Sequence, residues 1–221
     1  MSRGKQAVED DLFTKWVGWI VRLDRLVNQI VLHRYIYQEV RKIVVANPKV
    51  AKQNHFYEWL WYMHTTGIAV EIRKLVDRND QTVSVRTLLE AMKRNPQVIS
   101  RRRYKERFVD DVYEEADADR YLDKVLGAGN QQIEVSRIQT QIDELEKKAK
   151  KIKDYVDKLV AHTDKEEPTD IPSMQEGDEA IDYIVEIVDL YYPYFQGIDP
   201  GDREPNFSYD WTEIFRHPWI S

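Results

Sequence analysis

Apolar positions recur along almost the whole chain at three- and four-residue intervals, the period of a helix with one buried face. From Leu12 they run through Trp16, Trp19, Ile20, Leu23, Leu26, Val27, Ile30, Ile36, Val40 and Ile43. Asn47-Pro48 ends that run, because a residue before proline is pushed out of the helical region. A second helix is predicted over about 50–75, with Phe56, Leu60, Met63, Ile68, Ile72 and Leu75 on its inner face. After a turn at 77–83, Ser84 is placed to cap a short helix through Leu88, Leu89 and Met92, stopped by Asn95-Pro96. Ser100 is placed to open another, through Tyr104 and Phe108. Residues 110–120 are acidic and weakly patterned, and Gly127-Ala128-Gly129 breaks the chain again.

The clearest element follows. With Asn130 as its cap, a helix over about 131–164 carries Val135, Ile138, Ile142, Leu145, Ala149, Ile152, Val156 and Leu159, an unbroken heptad seam. Such a helix is roughly 50 Å long at 1.5 Å per residue. A linker rich in Pro, Asp and Glu (166–172) leads to Ser173 and Glu176, which have the spacing of a capping box. The helix this opens puts Ile181, Ile184, Val185, Val188, Tyr191 and Phe195 on one face and its acids on the other. The final stretch reads as an irregular tail, anchored to the bundle by Trp211, Ile214, Phe215 and Trp219. The predicted fold class is all-α: a helical bundle over 1–165, with an acidic helix and tail (166–221) packing on the same domain.

Composition supports long regular elements. Apolar residues make up 42% of the 221, which excludes disorder for most of the chain, and eight Gly and eight Pro are too few for a strand-and-turn sandwich. The absence of Cys removes disulfides, thiolate metal sites and a cysteine nucleophile. No secretory signal and no apolar run of membrane-spanning length is seen, so a soluble, cytoplasmic protein without a membrane role is expected. The net charge of −6 divides unevenly: from Thr163 onward the balance is −12, and residues 1–162 carry +6. A basic body is compatible with nucleic acid, and an acidic tail can equally cover it.

Several chemistries are excluded by pattern. None of the five His has a Glu three positions before it, so a di-iron bundle is out, and the zinc-protease, P-loop, dinucleotide and serine-hydrolase motifs do not occur. His55 and His64 fall on opposite faces of one helix and are poor co-ligands. No cofactor or metal is expected.

Two basic clusters remain. Lys93, Arg94, Arg101, Arg102, Arg103, Lys105 and Arg107 lie within fifteen residues, with Tyr104 among them. They can neutralise several phosphates while Tyr104 offers a ring for stacking, or they are a solvated charged face. The second cluster is Lys147, Lys148, Lys150, Lys151 and Lys153; on its helix, Lys148, Lys151, Tyr155, Lys158 and His162 share one face. A lone His among Lys and Tyr suits proton transfer in RNA transesterification, with the cations holding phosphate charge, or is an ordinary surface His near a helix end.

Residues 154–165, DYVDKLVAHTDK, resemble the motif helix of the HEPN superfamily, helical bundles that are often dimeric ribonucleases. The chain most resembles the abortive-infection U-type HEPN-like family of bacteria, also through RYIYQEVRKIV (34–44), FYEWLWYMHTTGIAVEIRKLVD (56–77), TVSVRTLLEAM (82–92), ISRRRY (99–104) and YDWTEIFRHPWI (209–220). HEPN ribonucleases carry an Arg with four to six residues before the His. Here those positions are Asp157, Val156 and Tyr155. The resemblance therefore implies His162 and Asp157 as motif residues, with Lys158 as a substitute cation that lacks the bidentate fork of Arg.

Three readings stand open at this stage. One is an RNA-binding protein of a defence or toxin–antitoxin system, with degenerate catalysis. Another is a metal-independent endoribonuclease using His162. The third is a structural helical homodimer joined along the seam. A homodimer, RNA and a protein inhibitor or other partner are the expected associations.

Overall fold

The computed structural model describes residues 3–49, 51–52, 54–108, 115–160 and 170–217. His162 and Trp219 lie outside them, as does the side chain of Leu159. Helix α1, Arg3–Ala46, is 44 residues long and buries Phe13, Trp16, Ile20, Leu23, Val27 and Ile30. Beyond Val31 the buried positions are Tyr37 and Val44 in place of the expected Ile36, Val40 and Ile43, which are half-buried. Helix α2, His55–Leu75, is capped by Asn54, whose side chain accepts from the Tyr57 amide. Its C-terminal half supplies Ala69, Ile72 and Leu75 to the core, and Phe56 and Met63, expected on the inner face, point to solvent.

Three further helices are α3 (Val85–Arg94), α4 (Arg101–Phe108) and α5 (Glu115–Leu126). Ser84 caps α3 as the pattern predicts, in a reciprocal box with Thr87, and its hydroxyl also donates to the Asp77 carbonyl at 2.6 Å. Ser100 Oγ accepts from the Arg103 amide at the start of α4.

Helix α6 is Val135–Tyr155, shorter than the sequence suggests. Asn130 does not cap it: residues 131–133 are drawn into a short antiparallel pairing, with Arg101 N donating to Gln131 O and Ile133 N to Ile99 O. The Asn130 amide instead holds the Leu126 carbonyl and the Glu134 carboxylate. At its other end α6 runs into a π turn, Val156–Val160.

The seam is an interior surface. Ile138, Ile142, Leu145, Ala149, Ile152 and Val156 are buried against α2, α3 and α7, and only Val135 of the described seam side chains is exposed. Each such Ile or Leu contributes about 1.5–3 kcal/mol through burial. Helix α7, Met174–Gln196, opens on the Ser173–Glu176 capping box and closes on Gly197 in the left-handed conformation. It packs along both α1 and α6. Tyr191 donates to Gln141 on α6 at 2.6 Å, and Tyr194 Oη accepts from Ser100 N at 2.7 Å. The stretch after α7 is held less by its aromatics than by Arg203, which bridges Asp24 on α1 (2.7 Å) and Asp189 on α7 (2.5 Å). Phe207 meets Tyr35 and Trp211, and Ile214 stays exposed. The described residues contain no strand, and the fold is all-α. No described helix is long and apolar enough to cross a membrane.

Candidate functional site at the end of helix α6

The motif segment places its residues very differently from one another. Val156 is buried in the core, as a seam residue must be. Tyr155 is half-buried and faces a cavity of about 510 Å³ between α1, α2, α6 and α7. Asp157 turns the opposite way and accepts from Arg73 Nε on α2 at 2.8 Å. Lys153, one turn earlier, approaches its second oxygen at 3.1 Å. Arg73 also donates to Asp77 at 2.9 Å, and Asp77 accepts from Thr82 at 3.1 Å. Burial pushes the Asp157 carboxyl up, but the bonds from Arg73 and Lys153 outweigh it and hold the group below its ordinary value. The same contest, won by Arg73 and Thr82, keeps Asp77 low. Lys158 is exposed.

Arg73 is the residue that sequence reasoning missed. Its spacing to Asp77 is readable as a helix pair, but its bond to Asp157 spans 84 positions. The cavity was missed too. Its walls include Trp61, Tyr62 and Ile68, with Arg34, His64 and Asp178 among the polar groups. His64 lies flat on Tyr37, 3.8 Å between ring centres; burial, then the neighbouring His33, lowers it to about 4. Burial raises Asp178 above its usual value despite Arg34 at 3.9 Å.

The lysines divide by helix face. Lys148 lies over the Tyr183 ring, and Lys151 is clasped by Asp170 at 2.6 Å and Glu176 at 3.1 Å. Lys147 and Lys150 project into solvent, each meeting only an acid within its own helix, Glu144 and Asp154. Exposed pairs of this kind are worth at most about 1 kcal/mol, so a phosphate can displace them.

The first basic cluster is woven into the fold. Arg101 is 12% exposed and bridges Asp119 and Asp123 on α5; Arg103 meets Glu9 and Asp10 on α1 and lies against Phe13. Lys105 bonds Glu115 and Asp119, and Arg102 pairs with Glu106 at 3.2 Å. Tyr104 is buried at 7% exposure among Phe108, Tyr121 and Tyr194. The expected stacking ring is therefore a core residue, and Arg101 and Arg103 act as struts between helices. Among the described residues, no group of three or more His, Asp or Glu side chains is arranged to hold a metal.

The described residues define an all-α bundle in which α6 ends at Tyr155 and runs into a turn that bears Asp157 and Lys158. The family model of HEPN AbiU2, the abortive-infection U2 family, matches residues 15–214, and the chain belongs to that family. No curated protein and no solved structure gives a match.

Proposed function

We propose that this chain is an RNA-binding HEPN protein of a bacterial defence system, cytoplasmic and acting as a homodimer. The reading rests on one observation above others: Lys147, Lys150 and Lys158 are exposed along the outer side of α6 and its terminal turn, without the inter-helix bridges that engage Arg101, Arg103 and Lys105. From Lys147 to Lys158 the helical rise is about 16 Å, enough to meet two or three successive phosphates of one strand. The test is fluorescence anisotropy of a labelled single-stranded RNA across a salt series. Reversal of Lys147, Lys150 and Lys158 to Glu is expected to weaken binding at least tenfold and to reduce the salt slope by about 2. Unchanged affinity in that variant overturns the reading. Association with a protein inhibitor or other partner is a further part of it, tested by co-purification of the wild type and the same variant.

Arg73 favours a second reading, metal-independent cleavage of RNA. It brings a guanidinium to Asp157, five positions before His162, where the HEPN pattern has its Arg within the same helix. In that reading His162 moves the proton and Arg73 or Lys158 carries phosphate charge. Incubation of RNA in EDTA with wild type and His162→Ala tests it. Products ending in 2′,3′-cyclic phosphate from the wild type alone support cleavage, and intact RNA in both lanes removes it.

A further inference from the structure

Helix α2 is apolar on the side turned away from the bundle as well as on the side turned inward. Phe56, Trp59 and Met63 are 58%, 54% and 50% exposed, and their 3-4 spacing continues into Thr66 and Val70, which are half-buried, Val70 against the core. Leu60 and Gly67 lie on the same face, which has no charged side chain from Phe56 to Val70. Together with the neighbouring Tyr62, these side chains leave on the order of 500 Å² of apolar surface open, the upper range for one patch on a monomer. A standard interface takes about 800 Å² from each partner, so this stripe supplies most of one.

Gly67 adds the second observation. It sits in the middle of the helix, where glycine costs about 1 kcal/mol relative to alanine. A Cβ placed there meets nothing within 4 Å, so packing within the chain gives no reason for it. The heptad spacing fits another helix, and the order of large and small residues fits this same helix run in the opposite direction. With a two-fold axis at Met63, Trp59 meets the Gly67 position of the other copy, Phe56 meets Val70, Leu60 meets Thr66, and Met63 meets itself. The largest side chain then covers the one residue without a side chain, on both sides of the axis.

We propose that this outer face of α2 is where a second copy of the chain packs, antiparallel, about an axis at Met63. The proposal names the surface for the dimeric part of the function given above. It does not depend on RNA, and the buried α6 seam is not available for the same purpose.

The chain has no Cys, so Met63→Cys introduces a single thiol. On the axis, that thiol is expected to form an interchain disulfide under mild oxidation, giving a band at twice 26.4 kDa in a denaturing gel. Val8→Cys, equally exposed on α1, is expected to stay single. Gly67→Gln fills the gap under Trp59 with a better helix former, so light scattering should report a single chain while circular dichroism keeps the wild-type helical signal. Three results overturn the proposal: a wild type that scatters as one chain at tens of micromolar, no disulfide in Met63→Cys, or a Gly67→Gln protein that remains double. All three are read without RNA, so failure of RNA binding leaves them standing.

Discussion

The guanidinium of Arg73 lies 2.8 Å from the carboxylate of Asp157, fastening the last turn of α2 to the turn that follows α6. Asp157 is one of the positions where the HEPN resemblance would put an Arg, and the guanidinium it meets comes from helix α2. The bond is partly open to solvent, with Asp157 side-chain exposure at 39%, so its worth is that of a screened pair.

Replacing Arg73 with Ala is expected to lower stability by about 1 kcal/mol in urea unfolding, since both Asp77 and Asp157 lose a partner in half-wet surroundings. Arg73→Lys should recover part of this, because one ammonium cannot reproduce the fork that meets two carboxylates.

Acid should act in two stages. His64 is lowered to about 4 by burial, so the unfolded chain takes up a proton near 6.5 that the folded chain refuses. Stability from this group is present above 6.5 and falls as pH drops toward 4. Asp77 and Asp157 are held below their ordinary value of 3.8, so their contribution is complete above it and is lost only at lower pH. Thermal melts of His64→Gln should lose the upper stage and keep the lower one.

Arg203 is buried between Asp24 and Asp189, and its removal leaves two acids facing each other across α1 and α7. Arg203→Met is expected to cost about 2 kcal/mol, at the modest end for breaking a partly buried pair. Limited proteolysis should then cut faster after residue 200.

Ile142→Ala is expected to cost about 2–5 kcal/mol, the range for emptying a filled core position. The molecular mass by light scattering should stay that of the wild type, because the seam is covered from within the chain.

What the sequence revealed depended on how local the determining interaction is. The α6 seam and the Ser84 and Ser173 caps were legible because partners three or four positions apart decide them. Asn130 has the right chemistry for a cap, but the Ile99–Arg101 strand-like contact, some thirty positions away, pulls the following residues out of helix. The run of arginines at 101–103 looked like an open cationic face because Asp10, Asp119 and Asp123 lie elsewhere along the chain. Phe56 and Met63 show a different limit. A helix apolar on both sides has no periodic signal to say which side the bundle takes, and both fell on the outer one.

The pairing of α1 with α7 has a consequence during synthesis. The inner face of α1, from Phe13 to Ile30, is closed by a helix that begins at Met174. At ribosomal rates of about 5–20 residues per second, it waits on the order of ten seconds or more for its cover. Until then the nascent chain presents a long greasy trough to whatever is nearby, which makes it a natural client for chaperones at the exit tunnel. Helix α6 acquires its final backing only when α7 emerges, so products truncated before α7 should be insoluble.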